Sequence, residues 1–319
     1  MKKVTRSLCA ALLACALILS VPFLFGCSRS EDGDGINVVC TIFPLYDWTT
    51  NIVADTGNVN IQLLVKNGTD THSFQPSFAD AAAIRESDVI IYVGGESDAW
   101  VEQSISEDTV AINLSELDGI TLREVCSDSL AEDHSHHGHS HGEAFDEHLW
   151  LSLENAKIAC EAIRDTLSAL NSDGAENYSD NTKKYVEELE EVDQGMEELS
   201  KSIDEPLIFA DRFPFVYLLE DYGIDYYAAY EGCSAEKDAD MQTVVELTNR
   251  IKSSSTGYIF TTESPDKALV DNVLRTVGSG VSAVSLDSMQ SVSQKELGDV
   301  SYLDIMRANL SALEEIFKN

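Results

Sequence analysis

Five of the seven histidines fall within eight residues, in the tract His134-Ser-His136-His137-Gly-His139-Ser-His141, and the other two are His72 and His148. Neutral imidazole is the commonest protein ligand for zinc-like ions. A polar tract with five histidines, Gly138 and Gly142 cannot bury a core, so it reads as a solvated loop over 133–142. The chemistry that fits is collection of a transition metal ion. A spacer loop is the plainer alternative, and an affinity tag is disfavoured because the tract is internal and irregular.

His72 and His148 sit differently. His72 lies in Lys66-Asn-Gly-Thr-Asp-Thr-His72-Ser-Phe-Gln-Pro76, after a strand pattern and before a helix pattern. His148 lies in Asp146-Glu-His148-Leu-Trp150, just ahead of a helix pattern. A lone histidine is a poor indication of a ligand. Two of them in polar loops at element ends can form one site, and the carboxyl ends of parallel strands are where open α/β sheets bind ligands.

The elements that must position them alternate along the chain. Strand patterns fall at Ile36–Phe43, Val59–Val65, Asp88–Val93, Val110–Leu114, Pro206–Ala210, Tyr226–Ala229, Gly257–Thr261 and Ser282–Leu286. Helix patterns fall near Leu45–Asp55, Ser77–Glu86, Ala99–Ile105, Glu154–Leu170, Phe213–Tyr222, Met241–Lys252, Pro265–Val277 and Ser301–Phe317. This alternation predicts an α/β protein whose parallel sheets are flanked by helices. Between the two sets of strands, Leu189, Val192, Met196, Leu199 and Ile203 form one apolar stripe at helical period. A helix from Ala175 to just before Pro206 would run about 40 Å and act as a strut between two lobes. Packing along one lobe, or a dimeric coiled coil, are the other uses of such a stripe. The expected organisation is an N-terminal lobe over 36–174, a linking helix over 175–204 and a C-terminal lobe over 205–319.

The first residues place the chain outside the cytoplasm. Lys2, Lys3 and Arg6 precede an apolar run from Leu8 to Phe25, as in a secretory signal peptide over 1–26. Leu24-Phe25-Gly26-Cys27 resembles a bacterial lipobox, which makes Cys27 the lipid-bearing first mature residue and 27–35 an acidic tether. The net charge is −35, and removing the leader takes away three basic residues and no acidic one. So acidic a surface repels nucleic acid and excludes it as a partner. Besides Cys27, the mature chain holds Cys40, Cys126, Cys160 and Cys233, which lack metal-site spacing and point to no particular disulfide.

Three segments together resemble a family, the zinc and manganese solute-binding lipoproteins of ABC importers. They are Gly68-Thr-Asp70-Thr-His72-Ser-Phe-Gln-Pro76-Ser, Ser87-Asp88 through Trp100, and Asp146-Glu-His148-Leu-Trp150-Leu-Ser152-Leu-Glu-Asn155-Ala156. A histidine-rich acidic loop just ahead of the last segment is typical of the zinc members. Leu286-Asp287, Tyr302, Met306 and Asn309 are similar to the family's close. The likeness spans 36–319 and implies ligand roles for His72, His148 and Asp287. The family's remaining ligand position, counted back from Tyr222-Gly223, falls on Arg212, which has no acceptor atom to offer a cation. Its neighbour Asp211, at a strand end, is the first substitute and Glu231 the second. Arg212 is then free to pair with a site carboxylate.

The resemblance implies a monomeric, membrane-anchored, non-enzymatic protein at the bacterial cell surface. It would capture a divalent ion and deliver it to the membrane permease of an ABC importer with its ATPase. His and carboxylate donors suit Zn2+ or Mn2+, and the histidine tract favours Zn2+. The competing class is a secreted zinc hydrolase. That chemistry needs a base such as the Glu of His-Glu-x-x-His, and the sequence holds no such motif.

Overall fold

The computed structural model describes residues 35–124, 145–230, 241–293 and 295–318. The leader, Cys27, the histidine tract and Glu231 lie outside the described residues.

All eight expected strands form, in two parallel four-stranded sheets. In the N-terminal sheet β1 (Ile36–Cys40), β2 (Val59–Leu63), β3 (Val89–Tyr92) and β4 (Val110–Asn113) are ordered β2-β1-β3-β4. In the second sheet β5 (Leu207–Phe209), β6 (Tyr226–Ala228), β7 (Tyr258–Thr261) and β8 (Ser282–Ser285) repeat the plan as β6-β5-β7-β8. Fully buried Val89, Ile90 and Ile91 show why β3 reads as a continuous apolar run: a parallel strand is covered on both faces.

The helices are α1 (Phe43–Ile52), α2 (Phe78–Glu86), α3 (Leu153–Leu170), α4 (Ala175–Ser200), α5 (Val216–Glu220), α6 (Met241–Ser253), α7 (Lys267–Val277) and α8 (Tyr302–Phe317). Two differ from the sequence reading. The segment Ala99–Ile105 is not a helix: Val101 and Ser104 donate to carbonyls three residues back, so the chain runs in successive turns. The buried Asp98 carboxylate ties this segment down by accepting from Val93 N at 2.7 Å and Thr41 Oγ1 at 3.3 Å. Helix α5 is shorter than Phe213–Tyr222 because Pro214 disfavours helical geometry at Phe213.

The linking helix α4 is 26 residues, about 39 Å at ~1.5 Å per residue. It is not a bare strut. Tyr178, Tyr185, Leu189, Val192, Met196 and Leu199 are buried on the face that packs against α1, α3 and α8. Leu310 of α8 packs over Gly195; a Cβ there would sit 2.6 Å from its side chain. One apolar cluster consequently runs through both lobes, from Val38 to Leu313. Cys40 and Cys160 are buried free thiols within it, as small core residues. Among the described residues no helix is long and apolar enough to cross a membrane.

Candidate metal centre

His72 and His148 arrive by the same local device. Asp70 caps the turn Thr71–Ser73, its Oδ1 accepting from His72 N at 2.9 Å. Asp146 Oδ1 accepts from His148 N at 3.0 Å. The repeated Asp-x-His is thus a pair of side-chain turns in which the aspartate fixes the backbone of the histidine two residues on. The first follows β2. The second enters the short turn Leu149–Leu151, after which Ser152 caps α3 by accepting from Asn155 N.

The two rings meet. His72 Nε2 and His148 Nε2 are 3.1 Å apart, with ring centroids at 5.1 Å. His148 is buried and its Nδ1 donates to Asp146 Oδ1 at 2.7 Å, which leaves Nε2 as the acceptor in the neutral ring. His72 Nδ1 stands 3.0 Å from Ser97 Oγ and 3.7 Å from Glu147 Oε2. Glu147 in turn accepts from Ser97 N at 2.9 Å. It reaches there only because residue 95 is glycine, where a Cβ would lie 2.4 Å from the Glu147 side chain. A tetrahedral ion with Zn–N bonds of ~2.0–2.1 Å holds its nitrogens about 3.3 Å apart, so the pair already has the bite of a chelate.

The acidic candidates lie on the second lobe. Asp287 follows β8, and α8 fixes its backbone at both ends: Asn309 Oδ1 accepts from Asp287 N and Asn309 Nδ2 donates to Asp287 O, each at 2.8 Å. The Asp287 carboxylate accepts from Met289 N through Oδ1. Burial, joined by the charge of Glu263, pushes its pKa up to about 6. Glu263 is held by Ser288 N and Oγ. Asp211 is fully buried at the end of β5. Its Oδ2 accepts from Thr262 N and Oγ1, and Oδ1 accepts from Asp266 N, the cap of α7. Arg212 points back across the cleft, Nη1 donating to Asp70 Oδ2 at 2.6 Å.

The structure therefore brings His72 to His148, but neither Asp211 nor Asp287 to the pair. Among the described residues the single group of three metal-ligating side chains within 4.8 Å of one another is Glu154, Glu190 and Asp193. There Lys157 Nζ already reaches all three, at 2.6, 2.8 and 3.1 Å, so an ammonium occupies the point where an ion would sit and offsets one of the three charges. The supporting roles of Ser97 and Glu147 were not read from sequence, and no local pattern signals them. The repeated Asp-x-His was a signal that could have identified Asp146.

Two parallel α/β lobes sharing a helical back, with imidazoles presented at the carboxyl side of the first sheet, define a two-lobed solute-binding fold. The chain belongs to the family of periplasmic component A of zinc-uptake complexes, whose profile matches residues 38–316. It is 30% identical, over 99% of its length, to the zinc-binding lipoprotein AdcA of Streptococcus pneumoniae, of which it covers 61%. It is 27% identical to the high-affinity zinc uptake system protein ZnuA of Bacillus subtilis, over 90% of this chain and 89% of that one. The crystal structure of the Zn(II)-bound ZnuA-like domain of S. pneumoniae AdcA matches with a TM-score of 0.71 at 26% identity, covering 89% of this chain and 100% of that domain. The chain thus spans about three fifths of the length of the first curated relatives it matches.

Proposed function

We infer that this chain is the substrate-binding component of an ABC importer for a divalent transition metal, zinc in the first place and manganese as the alternative. The observation that carries the reading is the approach of His72 Nε2 to His148 Nε2 at 3.1 Å, with each ring steadied at Nδ1. The Nδ1 contacts fix both ring planes so that the two Nε2 atoms converge on a shared point, which is how outer partners orient metal-binding histidines, and the proton between them leaves when an ion binds. Asp287 is the proposed carboxylate ligand, since a cation offsets the cost of its burial beside Glu263. Asp211 is the further candidate from the same lobe. Its Oδ2 is saturated by Thr262, so coordination falls to Oδ1. Glu231 is the alternative to Asp211.

The ion is cargo. The protein binds it as a monomer at the cell surface, held to the membrane through lipidated Cys27, and hands it to the permease and its ATPase without a catalytic step. The names of the zinc-binding relatives support zinc. His134, His136, His137, His139 and His141 would raise its local concentration as a weak auxiliary site. Metal analysis of the protein purified without added metal, followed by zinc–manganese competition, tests the reading. A protein that binds neither ion below millimolar concentration overturns it.

A further inference from the structure

The two Asp-x-His turns share the bond from the histidine N–H to the aspartate Oδ1 and differ in what the aspartate does with its remaining capacity. In the second turn Asp146 Oδ1 takes both His148 N and His148 Nδ1, so backbone and ring are fixed within one segment. In the first turn Asp70 divides its oxygens. Oδ1 accepts from His72 N at 2.9 Å, and Oδ2 accepts from Arg212 Nη1 at 2.6 Å, from the opposite lobe. Arg212 is itself well anchored. Its neighbour Asp211 is fully buried and pinned to Thr262 and Asp266, and Arg212 Nη2 lies 3.4 Å from Ser264 O. The ion pair is about four-fifths shielded from solvent on both sides. Nearby, Gly68 N donates to Val292 O at 3.2 Å, a second tie between the same loop and the second lobe.

We propose that Arg212 is a positioning residue for metal capture: through Asp70 it locks the His72 turn to the second lobe and sets His72 opposite His148 before an ion arrives. This rests on the reading of His72 as a ligand. The physical case is one of preorganisation. A loop held in its binding geometry by a charge-assisted hydrogen bond does not have to be ordered by the ion, so affinity rises without a further ligand. Arginine suits the task because its guanidinium stays charged and cannot itself compete for a cation. The position thus couples cleft closure to ligand geometry while contributing no donor atom.

The test is a double-mutant cycle on the full-length chain, with zinc alone as probe. Arg212→Ala, Arg212→Lys, His72→Ala and Arg212→Ala/His72→Ala are compared by chelator competition and by zinc release rate. Hydrogen exchange of residues 70–74 is followed in the metal-free protein. Arg212→Ala is expected to weaken zinc about tenfold, the lower range of what a hydrogen bond to a charged group contributes, mainly by faster release. Exchange at 70–74 should quicken, and Arg212→Lys should restore part of the affinity. The double variant should bind no more weakly than His72→Ala alone. Wild-type affinity in Arg212→Ala overturns the proposal, as does a loss that persists in full without His72, because Arg212 would then act by another route. Wild-type affinity in His72→Ala would instead overturn the site on which the proposal rests, so the two failures are told apart.

Discussion

His72 Nε2 and His148 Nε2 face each other at 3.1 Å although 76 residues separate them in the chain. If that pair is the chelate, replacing either ring with Ala removes one of two nitrogen donors. Each single variant is expected to lose at least tenfold in zinc affinity, about 1.4 kcal/mol. Calorimetry on a protein lacking residues 133–142 isolates the effect from the histidine tract. Two single variants that bind like the parent would end the assignment.

Asp146 controls the tautomer of His148. Asp146→Asn keeps an oxygen for His148 N but removes the charge that holds the Nδ1 proton at 2.7 Å. Outer partners of this kind typically contribute 10–100-fold in metal affinity. A loss in that range is expected with little change in fold, checked by chelator competition and circular dichroism. Unchanged affinity would mean that ring orientation comes from packing against Trp150, whose ring centroid lies 5.1 Å away.

Much of this architecture is legible locally. Most of the strands are short runs rich in apolar residues bounded by turn residues, with β2 and β8 the more polar and exposed ones, and the linking helix has its stripe at unbroken helical period. His72 and His148 stand in polar loops at element ends. What escaped the sequence depends on partners far away in the chain. Ala99–Ile105 reads as a helix until Asp98 is seen reaching Thr41, 57 residues earlier. That Arg212 pairs with a carboxylate is legible, but not that the carboxylate is Asp70, 142 residues away. The strand end marks Asp211 as a candidate ligand, but gives no sign that its carboxylate also ties β7 to the cap of α7.

That double duty separates Asp211 from Asp287. Asp211→Ala leaves Thr262 N and Oγ1 without their acceptor in a buried setting and should cost about 2–4 kcal/mol of stability. As a ligand it should also lower zinc affinity more than Glu231→Ala does. Asp287→Ala should lower affinity while costing the fold less, since among the described residues its carboxylate holds a single donor, Met289 N. Urea melts and zinc titrations of the three variants, compared at equal folded fraction, decide it. Full affinity in folded Asp211→Ala with loss in Glu231→Ala would transfer the ligand role to Glu231.

Deleting residues 133–142 should leave one tight zinc equivalent and remove weaker ones. By its composition alone, a tract of histidine, serine and glycine gains an ion at a cost in backbone and side-chain entropy, which weakens it relative to a preset pair. Titration of the deletion protein reads the number of equivalents directly. Loss of the tight one would show that the tract supplies a ligand to the main site.

Asp98 gives the fold a pH dependence of defined sign. Burial raises its carboxyl from 3.8 to about 6, and the nearby charge of Glu147 adds to the rise. The native state therefore holds this proton more tightly than the unfolded chain does. Between about pH 4 and pH 6 the native form binds more protons, so the contribution of Asp98 to stability falls as pH rises, and its full cost is reached above the native value. The shift corresponds to about 3 kcal/mol at most. Asp98→Asn has no such proton to lose, whereas Asp47 and Asp287, also raised to about 6, titrate in both proteins and cancel in the comparison. The stability of Asp98→Asn relative to the parent should thus improve by up to that amount from pH 4 to pH 7, in urea unfolding of metal-free protein. An equal difference at both pH values would show that Asp98 titrates alike in the native and unfolded states, with the donors Val93 N and Thr41 Oγ1 fully offsetting its burial.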